Sequence, residues 1–180
     1  MAAIVDSQLF FRLTTTAGTA GNSQAGTPSG SLGKYASTTP WTGGAIGDLF
    51  ETLTVDDNLG AGIEYRCLAF GHDNAANTAQ DVRIFLKDTD GGALVAIGVD
   101  PAPASPIGAT AAQGASIATK TDTPAGVVFS SPTTLGAAIN LGNVPPGHVR
   151  LVWVRRTGAA TPSTPADACT LSVRCDSGQL

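Results

Sequence analysis

Charge is the scarcest property of this 180-residue sequence. Asp, Glu, Lys and Arg make up 13% of it, with three lysines (Lys34, Lys87, Lys120) and a net charge of −4. No continuous basic surface is available to follow a phosphate backbone, so nucleic acid is not an expected partner. Cysteine is also sparse: Cys67, Cys169 and Cys175 leave at least one thiol unpaired, as in proteins made in a reducing compartment. On one strand Cys169 and Cys175 would lie about 20 Å apart at roughly 3.3 Å per residue, beyond disulfide reach. Without paired ligand spacing, the cysteines read as small apolar residues and no metal is expected. Long apolar runs are missing too. The charge-free tract Pro101 to Thr119 contains three prolines, which argues against a spanning helix and a membrane partner. The N-terminus has no basic leader and its apolar run breaks at Asp6; a secretory signal is not expected, and synthesis in the cytoplasm is.

What the chain has in quantity is glycine and proline, 22 and 11 residues. This disfavours long helices, and at this length one domain is expected, burying roughly two-thirds of its unfolded surface. The clearest local pattern is His148-Val-Arg-Leu-Val-Trp-Val-Arg-Arg156, which puts Val149, Leu151 and Trp153 on one side and follows the turn signal Asn143-Val-Pro-Pro-Gly. Period-two alternation predicts further strands at Gln8 to Thr14, Ile63 to Phe70, and Asp81 to Lys87 with Val82, Ile84 and Leu86 inward. Shorter runs at 94–99, 125–130, 138–141 and 169–174 complete eight or nine, with Ile46 to Val55 read as a strand as well. Asp88-Thr-Asp-Gly-Gly92 predicts a tight turn closing a hairpin between 81–87 and 94–99. The expected fold is all-β: a single antiparallel β-sandwich over 1–180, jelly-roll-like, with an immunoglobulin-like Greek key as the alternative. Residues 15–44 are Thr, Gly, Ser and Ala with Leu32, Tyr35 and Trp41 as the sizeable apolar anchors. They read as a low-complexity arm that orders only against a partner or a packed neighbour, because ordering costs roughly 1–2 kcal/mol per residue. Residues 100–124 form a second long Pro/Ala/Gly loop.

Candidate chemistry is thin. His72-Asp73 falls in an expected loop, but no Gly-x-Ser-x-Gly elbow or other nucleophile accompanies it, and a solvated turn is the better account. His148 reads as a polar edge residue. Asp88-x-Asp-Gly opens like a calcium loop, yet its twelfth position is Val99 rather than a bidentate Glu. Without a convergent acid, base or nucleophile, neither catalytic residues nor cofactors are expected and the chain does not read as an enzyme. The residues suited to partner contact are Tyr35, Trp41, Arg155 and Arg156. Two of them are aromatic anchors on the arm, and two are arginines at the strand end that could pair with acidic loops of another subunit.

Three blocks carry a resemblance. Leu49-Phe-Glu with Glu64-Tyr-Arg-Cys-Leu, then Pro124-Ala-Gly-Val-Val-Phe-Ser-Ser-Pro, then Leu141-Gly-Asn-Val-Pro-Pro-Gly-His-Val-Arg-Leu-Val-Trp-Val-Arg-Arg-Thr157 resemble a group of small virion structural proteins of tailed bacteriophages. The likeness covers the last three-quarters of the chain in the same order and departs from the pattern in the 15–44 arm and in 161–180. It implies a head decoration (cement) protein on the capsid surface, with the major capsid protein and further copies of itself, as a trimer or dimer, for partners. A tail or baseplate component is the alternative within the virion. A carbohydrate-binding or host-adhesion module is the alternative outside that resemblance, and would present Trp41 or Tyr35 at a groove. The family implies no catalytic residues.

Overall fold

The structure, a computed structural model, describes residues 3–18, 24–43, 48–51, 60, 62–90, 94–158 and 168–178. After a single 3-10 turn (Asp6–Gln8) come nine strands: β1 (Leu9–Thr15), β2 (Tyr35–Trp41), β3 (Ile63–His72), β4 (Thr78–Asp90), β5 (Leu94–Val99), β6 (Ser105–Pro106), β7 (Ile139–Val144), β8 (His148–Thr157) and β9 (Ala168–Gly178). A second 3-10 turn, Leu135–Ala137, precedes β7. The large sheet runs β2-β1-β3-β8-β5, with the short β6 also paired to β8, and the small sheet runs β7-β4-β9. Every pairing is antiparallel. The chain is an all-β sandwich. Five connections change sheet: β3 to β4, β4 to β5, β6 to β7, β7 to β8 and β8 to β9.

Between the sheets lies a core of Leu13, Leu68, Phe70, Val82, Ile84, Leu86, Ile97, Leu141, Val144, Val152 and Val154. The alternation of β4 is the expected one, with Val82, Ile84 and Leu86 pointing inward. The other face of the large sheet carries a second core: Ala36, Tyr65, Cys67, Ala69, Val149, Leu151 and Trp153, packed against Leu32, Ile107, Ala115, Ile117, Val127 and Phe129. The face of β8 that holds Trp153 therefore meets loops, and Val152 and Val154 on its opposite face meet the small sheet. A strand covered on both sides has apolar residues at successive positions, and β3 is buried from Glu64 to His72 without interruption.

Residues 24–41 belong to the sandwich. β2 is the edge strand beside β1, and the segment before it pairs with the 100–124 loop: Gln113 N donates to Lys34 O at 2.8 Å, Lys34 N to Ala115 O at 2.9 Å and Ile117 N to Leu32 O at 3.0 Å. Two stretches too poor in apolar residues to form cores of their own thus make one layer over the second core. Small side chains allow the close approach. Gly33 has φ +88°, and a Cβ there would lie 2.8 Å from Trp153 Cζ2 and against the Ala115 carbonyl oxygen. The polar groups that this contact buries are paired internally: Ser31 Oγ donates to Cys67 O at 2.5 Å, Thr14 N donates to Ser31 Oγ at 2.8 Å, and Gly33 N donates to Thr14 Oγ1 at 3.0 Å.

The expected hairpin between 81–87 and 94–99 is not formed. β4 pairs with β7 and β9 whereas β5 pairs with β8, so the link between them carries the chain across the sandwich. Both strands have apolar inward faces, but those faces oppose each other from different sheets. Residues 91–93 of the expected turn lie outside the described residues. So does most of the strand expected at 46–55, of which 48–51 are described as non-strand. The run 125–130 is no strand; it lies along the outer edge of β5 through one bridge, Ile97 to Ser130.

Candidate functional site

The four residues suited to partner contact do not converge. Tyr35 is 5% exposed, and its hydroxyl donates to Thr110 O at 3.2 Å, tying β2 to the covering loop. Trp41, at the far end of the same strand, is half-buried and meets Phe11 edge to face at 6.0 Å between ring centres. It lines a shallow, mainly apolar groove of ≈390 Å³ with Leu9, Phe11, Leu171 and Val173. Arg155 is half-buried on the loop side of β8, its guanidinium 5.3 Å from the centre of the Phe129 ring. Arg156 faces the other way.

The sheet register explains the local chemistry at Arg156. Glu64 on β3 and Val95 on β5 both sit opposite Arg156, and the row two residues along contains Arg66, Val154 and Ile97. Glu64, Arg66 and Arg156 therefore share the inner face at one end of the sandwich. Arg156 Nη2 meets Glu64 Oε2 at 2.5 Å, with side chains 12% and 10% exposed. Lys120, from the covering loop, reaches Glu64 Oε1 at 2.5 Å and Glu51 Oε2 at 3.3 Å. The ring of Phe50 takes the guanidinium groups of Arg156 and Arg66 at 4.8 and 5.5 Å. Arg66 is fully buried; its Nη1 donates to Tyr65 O at 2.9 Å. Burial pulls the Arg66 pKa down, opposed by the charges of Glu64 and Glu51. For Glu64 burial favours the neutral form, but hydrogen bonds from Lys120 and Arg156, with their charges, outweigh it and hold the pKa below the ordinary glutamate value.

A carboxylate held ionised by such neighbours is a poor proton donor, and the cluster acts as a fastening between β3, β8, segment 48–51 and the covering loop. Because the native pKa is lowered, the stability that ionised Glu64 contributes is present above the unfolded-state pKa. It is lost as pH falls through the native value. Glu64→Gln is expected to cost about 3 kcal/mol at neutral pH, because it leaves Arg156 and Arg66 buried without their nearest counter-charge. It should also flatten the acid limb of stability, read from urea midpoints between neutral and acid pH. An unchanged acid limb would show that Glu64 is not the group responsible.

A second buried acid organises the covering layer. Asp100 is 1% exposed; its Oδ2 accepts from Trp153 Nε1 at 2.9 Å and from Ala115 N at 2.9 Å, and its Oδ1 accepts from Ala102 N at 3.0 Å. Gln113 does similar work on β2: its Oε1 accepts from Ala36 N at 2.7 Å and its Nε2 donates to Pro106 O at 2.8 Å. Neither residue is marked by the sequence patterns. The available signal is a buried Trp, whose indole N–H needs an acceptor, on the same chain as an Asp at the foot of a loop.

The residues with catalytic potential are occupied structurally. His72 is buried at the end of β3, away from the solvated turn expected of it, and Nε2 donates to Val144 O at 2.9 Å. His148 Nδ1 lies 2.9 Å from Pro146 O. All three cysteines are free thiols. Burial raises each of their pKa values, and that of Cys67 well above the ordinary thiol value with the charge of Asp100 adding to the shift, so none is activated as a nucleophile. Cys169 and Cys175 share β9, six positions apart. Among the described residues no group of three or more His, Cys, Asp or Glu could hold a metal ion, and no helix is long and apolar enough to cross a membrane. No protein-family model, curated protein or solved structure matches the chain.

Proposed function

We propose that this chain is a bacteriophage head decoration protein that binds the outer surface of the capsid and stabilises contacts between major capsid proteins. The jelly-roll-like winding expected of such a module is part of the reading. The observation that carries it is the use of chemically distinctive side chains for self-fastening. Asp100, Glu64, Arg156 and His72 each join segments distant in sequence, and Arg66 lies over the Phe50 ring, on a sandwich whose large sheet is covered on both faces. That construction supports a rigid module that works by surface contact, and the resemblance of three sequence blocks to phage virion proteins supplies the setting.

The test is binding of the purified chain to expanded phage heads that lack it, followed by imaging of the decorated particles. Saturable binding at positions repeated over the whole shell, with a raised temperature of head disruption, is the expected result. Density confined to the tail would replace this reading with the tail or baseplate one, and affinity for glycans without head binding would replace it with the adhesion one. Deleting residues 15–44 is unsuited to the purpose: it removes β2 and Ser31 and opens the second core.

A further inference from the structure

We infer that strand β9 is a self-association edge, and that two copies of this chain join by antiparallel pairing of β9 with β9 about a two-fold axis through Val173. This rests on β9 alone and is independent of the capsid reading.

Among the described residues, the edges at β2, β5 and β7 carry contacts or irregularities that limit further pairing. Along β2, Ala36 N is taken by Gln113 Oε1 at 2.7 Å, Thr38 N by Gln24 O at 3.0 Å, and Pro40 has no N–H. Along β5, Ile97 exchanges hydrogen bonds with Ser130 at 2.8 and 3.0 Å, and Ser131 Oγ donates to Val95 O at 2.7 Å. β7 has six residues, Gly142 at φ +78°, and register shifts against β4. Bulges, proline and short length are devices that keep a strand from pairing further.

β9 has none of these devices. It has 11 residues, contains neither proline nor lysine, and has β4 as its one strand neighbour among the described residues. Its two register shifts with β4 run from Gln80/Asp176 to Arg83/Arg174 and from Lys87/Thr170 to Asp90/Ala168. Each places the extra residue in β4, so β9 itself is regular. A long, regular edge presents a row of backbone donors and acceptors for another strand.

The pattern of β9 selects a second copy as that strand. Leu171, Val173 and Cys175 alternate with Thr170, Ser172, Arg174 and Asp176, a sequence of apolar and polar positions symmetric about Val173. Antiparallel pairing centred there overlaps the whole strand, sets Leu171 opposite the second copy's Cys175, and sets Thr170 opposite its Asp176. An isologous interface requires this self-complementarity. The axis also lies beside the apolar groove, whose walls are Leu171 and Val173 on one side and Phe11 and Trp41 on the other. Extending the small sheet past β9 covers the groove's open rim.

The intact chain is expected to sediment at twice its monomer mass. On oxidation, Val173→Cys is expected to give a disulfide-linked dimer on a non-reducing gel, since facing residues of an antiparallel pair have Cα atoms about 4.5 or 5.5 Å apart, within disulfide range. The unmodified chain, whose Cys169 and Cys175 do not face each other in this register, is expected to give none. Circular dichroism establishes that the variant is folded. A monomer across the accessible concentration range, a folded Val173→Cys chain that does not cross-link, or cross-linking of the unmodified chain through Cys175 would each overturn the pairing.

Discussion

Replacing Trp153 with alanine is expected to lower the unfolding free energy by about 4 kcal/mol or more, the range for a large aromatic removed from a close-packed site. The loss should exceed simple cavity formation. Trp153 is 0% exposed at the centre of the second core, and its indole N–H is one of three donors to Asp100. Without the indole, a buried carboxylate loses part of the pairing that offsets its desolvation. Trp153→Phe separates the two contributions, since it keeps most of the ring volume and deletes the donor; a smaller cost, about 1–3 kcal/mol, is expected there. Urea denaturation measures both. Hydrogen exchange adds a spatial readout: in each variant the amides of Ala102, Ala115 and Ile117 should lose protection before those of the β3–β8 ladder, because they belong to the layer that Trp153 and Asp100 hold down. Loss of protection spread evenly over the molecule would contradict a separate outer layer.

The second large effect is expected at Gly33. Alanine there meets a double penalty: a left-handed backbone, φ +88°, and a Cβ driven against Ala115 O and the Trp153 ring. The strained backbone alone costs of order 1 kcal/mol for a non-glycine residue. The steric conflict adds to it, because the carbonyl it meets is itself held by Lys34 N and has no free direction of retreat. A combined loss of about 3 kcal/mol is expected, checked by the same denaturation measurement. Gly136, where an added Cβ would meet nothing within 4 Å and φ is not left-handed, serves as the comparison: Gly136→Ala should be close to neutral. Equal effects at the two positions would show that the covering layer yields easily.

The contrast between these two glycines shows how much could be read from the chain itself. Alternation in β3, β4 and β8 announces strands and names residues such as Ile84, Leu86 and Trp153 that are buried. It cannot say which face meets which layer, because a sheet covered on both sides offers apolar residues in both directions. Hence Val149, Leu151 and Trp153 meet loops while Val152 and Val154 face the small sheet. The Thr/Gly/Ser segment misleads for a related reason. Composition measures apolar area, whereas residues 31–37 stay in place through close approach and buried hydroxyls, as with Ser31 against Cys67 O. Residue type is what singles out the partner-contact candidates. Type alone does not reveal that Tyr35 is fastened to Thr110 O or that Arg156 finds Glu64 across the β3–β8 register, since both pairings depend on segments distant in sequence.

The five crossings between layers have a consequence in time. β3 cannot complete its ladder until β8 exists, and about 75 residues of chain lie between the end of β3 at His72 and the start of β8 at His148; roughly that much loop must close before the first central hydrogen bonds repay its entropy. β4 likewise waits for β7 and β9, the last of which ends near the C-terminus. Folding should accordingly be slow for a chain of this size and complete only once β9 has been synthesised. The same lacing acts once the molecule has formed, because neither sheet can separate from the other without straining the five connections between them. Slow unfolding, more than a large equilibrium free energy, is the form of durability that this topology confers.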